Sequence, residues 1–273
     1  MKRIATILLF SVWAPTGWSA GSAIDLLDAK VNLEDTASLQ RGAGLYVNYC
    51  LGCHALSFMR YDRMGRDLGL TNDQVSENLL FAADKVTAPM DISMRPEAAR
   101  NWFGVTPPDL SVISRSRGPD WLYSYLTTFH ADPNPSRPFG VNNVVFSDVA
   151  MPHVLAPLQG RQEYVRGEVP ADAREVHALG LAVNGGDILV QKSATMSDGS
   201  HVPVVDRLTV TEPGELRPGE YRKAMRDLVN FLVYVGEPSR LDRQAMGFWV
   251  VLFLIVLALI FRALYKEYWR DVH

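Results

Sequence analysis

Cys50-Leu51-Gly52-Cys53-His54 holds both cysteines of a 273-residue chain, and its reading decides the fold. In a Cys-x-x-Cys-His pentapeptide the two thiols form thioethers to the vinyl groups of a haem, because the spacing lets one turn of chain hold both. The adjacent histidine is thereby set under the iron as its proximal ligand. Two other readings of a cysteine pair fail. A thioredoxin-like dithiol needs a βαβ context that the flanking sequence lacks. A zinc site needs two further clustered ligands, whereas His130, His153, His177, His201 and His273 are scattered. One covalent c-type haem is therefore expected, with no thiol left for a structural disulfide.

The sixth iron ligand decides between electron transfer and ligand or oxygen chemistry. Met1 and Met246 belong to the chain's two apolar ends, and Met59 and Met64 follow His54 too closely to fold back over the opposite face. Met90, Met94, Met151, Met196 and Met225 remain. Met151 is favoured because Pro152 restricts its backbone within the Pro- and Asn-rich loop running from Pro133 to Pro157, and long loops in compact domains are usually functional. His153 is a rival that would lower the potential relative to methionine. Pro107-Pro108-Asp109-Leu110-Ser111 offers a rigid, donor-free apolar surface suited to lie against a macrocycle. Arg115 and Arg117 follow it, and either guanidinium can pair bidentately with a haem propionate.

Elsewhere helical signals dominate. A helix ending at Val47 to Tyr49 delivers the cysteines to its C-terminal end. Thr71 to Gln74 read as a capping box, Pro119 opens a segment with Leu122, Tyr125, Leu126 and Phe129 at helical spacing, and Gly219 to Val235 form another amphipathic helix. Ile188 to Val190 and Val202 to Val205, separated by Ser197-Asp198-Gly199, suggest a small β-hairpin insertion. The expected fold class is mainly α, with loop and hairpin insertions.

At the N-terminal end, Lys2 and Arg3, the apolar run Ile4 to Trp13 and the breakers Pro15 and Gly17 before Ser19-Ala20 predict a cleaved signal over 1–20, the competing reading being a first buried helix. At the other end, Ala245 to Phe261 carry no charge, and extension to Tyr265 gives about 30 Å of helix at roughly 1.5 Å per residue, enough to cross a bilayer. No polar stripe marks it as a core helix. Trp249, Tyr265, Tyr268 and Trp269 sit where interfacial aromatic belts do. The organisation is then an exported domain over 21–243, a single transmembrane anchor over 244–265 and a cytoplasmic tail over 266–273. The whole chain is 48% hydrophobic and 21% charged with a net charge of −3, which excludes disordered and collagen-like classes. Setting aside the signal, the anchor and the tail leaves 22 basic and 28 acidic residues, so the exported part carries −6 and should repel nucleic acid.

These residues together resemble the cytochrome c1 family, the haem subunits of cytochrome bc1 complexes. The resemblance rests on Arg41-Gly42-Ala43 through Asn48-Tyr49 into the Cys50 to His54 motif, then Arg60-Tyr61, Pro107 to Ser111, Met151-Pro152, and the anchor with Lys266-Glu267-Tyr268-Trp269. It implies a class I cytochrome c-like haem domain with a C-terminal anchor, His54 and Met151 as axial ligands and Arg117 as a propionate partner, beside Pro108 as the apolar surface read from the Pro-Pro pair. It also implies cytochrome b and a Rieske iron-sulfur protein as partners, with the electron passing to a soluble or anchored c-type cytochrome. The chain alone is then no enzyme but the electron-transfer subunit of a quinol–cytochrome c reductase. It would lie in a bacterial inner membrane with its haem domain on the periplasmic side. This chain has Gly118-Pro119 after Arg117 where many relatives have paired glycines, and Trp121 where many carry a tyrosine, with Tyr123 and Tyr125 nearby. The competing functions are an anchored cytochrome of a terminal oxidase and a periplasmic haem enzyme, which would need an open iron position.

Overall fold

The computed structural model describes residues 24–272, and the expected signal over 1–20 lies outside the described residues. The chain runs through α1 (Thr36–Tyr49), β1 (Leu56–Arg60), α2 (Tyr61–Asp67), α3 (Asn72–Asn78), β2 (Pro89–Met90) and α4 (Pro96–Phe103). Next come α5 (Ile113–Ser116), α6 (Pro119–Thr127), β3 (Phe129–Ala131), β4 (Val141–Asn143), α7 (Ala156–Gln159) and β5 (Gly160–Val165). Three long strands follow, β6 (Ala173–Asn184), β7 (Asp187–Met196) and β8 (His201–Pro213), and then the helices α8 (Pro218–Gly236) and α9 (Arg240–Tyr268).

Helix α1 starts where the Asp35 carboxylate accepts the Ser38 amide at 2.9 Å, an N-cap that satisfies one orphan donor. Its apolar positions Leu39, Ala43, Tyr46 and Val47 recur at helical spacing and are buried, as are Leu228, Phe231, Leu232 and Val235 of α8. Each such large side chain contributes roughly 1.5–3 kcal/mol on burial. The two helices cross at Gly42, where an added Cβ would lie 2.1 Å from the Asp227 carbonyl oxygen and 2.7 Å from the Phe231 Cβ. A polar clamp fixes the same crossing. Arg41 donates to both oxygens of buried Asp227 at 2.6 and 3.0 Å, and the Ser38 hydroxyl adds a bond of 2.6 Å. Helix α6 joins this pair through the Tyr221 hydroxyl, which donates to the Leu126 carbonyl at 2.9 Å.

The capping box at Thr71, the turn through Ser197 to Gly199 and the helices stand where the sequence put them, except that the Pro119 helix stops at Thr127 and Phe129, expected on its apolar face, opens strand β3. The mainly α expectation does not hold as a whole, because β3 to β8 form a six-stranded sheet in the order β4-β3-β5-β8-β7-β6. The expected hairpin is its β7–β8 pair, running from Ile188↔Leu208 to Thr195↔His201. The physical reason for the miss is that period-two alternation is absent from much of the sheet. Strands β3 and β4 are three residues each, and β6 is exposed from Arg174 to Leu179 and slips register between Ala178 and Gly180.

Helix α9 is 29 residues long, with a mean hydropathy of 2.6 over its most apolar stretch, none of which is buried. It is long and apolar enough to cross a membrane.

Candidate functional site

The pentapeptide continues the last turn of α1. Cys50 caps that helix with its amide on the Tyr46 carbonyl at 2.8 Å, and the amides of Cys53 and His54 both return to the Cys50 carbonyl, at 3.0 and 2.9 Å. One turn of chain therefore carries both thiols and the imidazole. The buried Tyr46 hydroxyl reaches back to the His54 carbonyl and holds that turn in place. Burial, and then the neighbouring Cys53, push the Cys50 thiol up to about 12, and burial also raises Cys53, so neither is a ready thiolate.

His54 is oriented from the second loop. Its Nδ1–H donates to the carbonyl oxygen of Pro108 at 2.7 Å, and since a carbonyl can only accept, the lone pair is left on Nε2. Burial lowers the histidine pKa, against the Pro108 bond and the Asp109 charge, so the ring stays neutral as a metal ligand requires. Pro108 thus contributes a carbonyl as well as the expected apolar face. Asp109 fixes the loop by accepting the Ser57 and Ser111 amides at 3.0 and 2.7 Å.

The Met151 loop is stapled to α6. The buried Asn143 amide donates to the Tyr125 carbonyl at 2.7 Å, while its oxygen accepts the Val145 and Phe146 amides at 2.9 and 3.2 Å. His153, the rival ligand, stacks on Phe129 with ring centroids 4.8 Å apart. It lines a separate cleft, and burial drives its pKa down to about 4.

Between the two loops lies an apolar cavity of about 280 Å³, lined by Cys50, His54, Pro108, Arg117 and Met151 among others. An adjoining cleft of about 80 Å³ shares His54, Pro108 and Met151 and adds Cys53. All six residues singled out from the sequence therefore converge on one place. Met59, Met64, Met90 and Met225 are buried in the core instead, and Arg115 does not line the cavity. Trp121 and Tyr125 do line it, whereas buried Tyr123 does not. Neither Trp121 nor Tyr125 has a role assigned by the residue pattern alone. They are nearly parallel, with centroids 5.0 Å apart, and the Tyr125 hydroxyl donates to the Met151 sulfur at 3.4 Å. Their i, i+4 spacing was the available signal.

These residues fit a haem. The walls are apolar, and two free thiols, a neutral imidazole with its Nε2 lone pair available and a thioether all border this space and its adjoining cleft. Among the described residues no group of three or more His, Cys, Asp or Glu could hold a metal ion. Two larger clefts, of about 620 and 700 Å³, lie along the sheet and hold neither cysteine nor Met151.

The model of the Cytochrome C1 family matches residues 28–175 and 214–272. The unmatched stretch between them contains most of β6 and all of β7 and β8. A cytochrome c1 of Allochromatium vinosum is 42% identical over 99% of this chain and 98% of its own length. A protein of Nitrosomonas europaea named ammonia monooxygenase gamma subunit is 38% identical over the full length of both. A cytochrome c1 of Rhodobacter capsulatus is 22% identical over 86% of this chain and 83% of its own. The chain belongs to the cytochrome c1 family, whose members carry one covalently bound haem c and serve as electron-transfer subunits of bc1-type complexes.

Proposed function

We propose that this chain takes single electrons from a Rieske iron-sulfur protein and passes them to a periplasmic c-type cytochrome, as the haem subunit of a bc1-type quinol–cytochrome c reductase. Cys50 and Cys53 would hold the haem through thioethers, with His54 and Met151 as the residues that would ligate its iron. Bound haem supplies a one-electron ferric–ferrous couple. The observation that carries the reading is an apolar cavity lined by both His54, tied by its Nδ1 to Pro108, and Met151. Ligation by both would leave no open iron position, and a His/Met pair would favour the reduced state. The apolar walls keep water from the couple. Arg117 at the rim is suited to a propionate, and Pro108 fixes the histidine ring.

The rest of the chain places this site. Cleavage of a signal over 1–20 would export residues 21–243, leaving 244–265 to span a bacterial inner membrane beside cytochrome b and 266–273 in the cytoplasm. The uncharged stretch of α9, flanked by Arg240 and Arg243 before it and Arg262, Lys266 and Arg270 after it, supports that arrangement.

The ligand test is spectroscopic. The oxidised protein should show a far-red methionine-to-iron charge-transfer band that Met151→Leu abolishes, and a band surviving that substitution unchanged would sink the assignment. Purification in mild detergent tests the complex: a cytochrome b and a Rieske protein should come with the chain. A second reading, an anchored cytochrome serving another membrane enzyme, is favoured by the name of the Nitrosomonas relative. Co-isolation with copper-containing subunits instead would support it.

A further inference from the structure

Four side chains form a continuous column beside the cavity. The Arg117 guanidinium carbon sits 5.1 Å from the centre of the Trp121 ring. Trp121 stacks on Tyr125 with centroids 5.0 Å apart and planes 8° from parallel, and the Tyr125 hydroxyl donates to the Met151 sulfur at 3.4 Å. Phe129 meets the Tyr125 ring in an edge-to-face contact with centroids 5.0 Å apart. Tyr125 is held at its other end as well, because its backbone carbonyl accepts the Asn143 amide at 2.7 Å. The ring is thus fixed by stacking on one side, by an edge contact on another and through its backbone, and only its hydroxyl points at the ligand loop.

We propose that Tyr125 is a positioning residue that sets the donor strength of the Met151 sulfur, with the Arg117–Trp121 stack holding its ring in line. This rests on the reading of Met151 as the distal ligand. A sulfur lone pair that accepts a hydrogen bond has less electron density to give to iron. The ferric state needs that density more than the ferrous state does, so the bond favours reduction. The same bond limits the loop's freedom to carry the sulfur away. The indole plate does more than fill space: it prevents the phenol from turning its hydroxyl out of line, and the guanidinium over its outer face holds the plate by cation–π attraction. The proposal therefore assigns a tuning role to a side chain that contacts neither the thioether cysteines nor the proximal histidine in the hydrogen-bond pattern.

The experiment uses the haem-loaded full chain isolated in detergent. Tyr125→Phe keeps the ring and its stack and removes only the donor. The expected result is a far-red band that persists, with the ferrous-to-ferric ratio at fixed ambient potential reduced roughly threefold, or about 30 mV at 59 mV per decade for one electron. Replacing Tyr125 by 3-fluorotyrosine, a stronger donor of nearly the same shape, should move the potential in the opposite direction. It also keeps the test alive should the phenylalanine variant fold poorly. Unchanged potentials in both variants, with the band intact, would overturn the tuning role while leaving Met151 as the ligand. A wild-type spectrum without the band, unaltered by Met151→Leu, would instead remove the ligand reading on which the proposal stands.

Discussion

A histidine can serve as a metal ligand only through a nitrogen that carries no proton, so the residue that fixes its tautomer matters as much as its place in the motif. Here that residue is Pro108, whose carbonyl accepts a hydrogen bond from the Nδ1–H of His54 across 54 positions of sequence. A second group whose state depends on its partners is Asp206, far from this cavity. Burial pushes its carboxyl up, but hydrogen bonds from Lys192 at 2.5 Å, Tyr164 at 2.5 Å and the Gly167 amide at 2.9 Å together hold it below its ordinary 3.8. A carboxyl whose folded value is depressed stabilises the native chain above the unfolded value and loses that contribution as pH falls through the folded one. The sheet should therefore lose stability on acidification below about pH 4. Denaturant midpoints followed by circular dichroism from pH 6 to pH 2 would measure this, and Asp206→Asn should lower the midpoint at pH 6 and flatten the acid limb. An equally steep acid limb in the variant would shift the cause to other carboxylates.

Among the elements, the α1–α8 crossing determines where the pentapeptide emerges, because α1 ends at Tyr49 and the haem motif starts at the next residue. Helix α1 contains two glycines in contrasting surroundings. At Gly42 a methyl group would overlap the Asp227 carbonyl oxygen at 2.1 Å, whereas at Gly44 nothing lies within 4 Å of the added carbon. Gly42→Ala must push the helices apart, and overpacking of this kind costs about 1–3 kcal/mol or more. Gly44→Ala meets no obstacle and replaces the poorest helix former short of proline with the best, a gain of roughly 0.5–1 kcal/mol. Thermal melts of the two variants should move in opposite directions by a few degrees, at about 2–4 °C per kcal/mol for a chain of this size. A Gly42→Ala protein as stable as the parent would mean that the crossing is looser than its geometry implies. Displaced helices should also weaken haem retention, since Cys50 rides on the end of α1.

For the whole molecule, the sequence was most legible where one local rule determined the outcome. Spacing identified Cys50, Cys53 and His54, the capping box located α3, and a proline-restricted loop singled out Met151, which lines the same cavity as His54. It was least legible where structure depends on distant pairing. The β3–β5 contact joins Ala131 to Glu163 and leaves almost no trace in either segment, and β6 presents polar and apolar residues alike to solvent. The bond from Tyr125 to Met151 was hidden for the same reason, since it spans a 25-residue excursion through β3 and β4 whose return path only the fold defines. The apolar helix α9 is the opposite case, plain in composition and detached in its packing: no residue of it is buried. The core formed by α1, α6 and α8 draws on none of its side chains, and the ion pair from Arg243 to Glu237 at 2.5 Å ties the junction through an exposed arginine. Exposed pairs of this kind contribute about 0–1 kcal/mol. A chain ending after Ser239 should therefore leave the membrane fraction, keep its haem spectrum and far-red band, and unfold within about 0.5 kcal/mol of the full chain, as surface changes usually do. Sedimentation after cell breakage, visible spectra and denaturant titration would measure each part. A truncated chain that loses its spectrum or aggregates would show that α9 supports the haem domain as well as anchoring it.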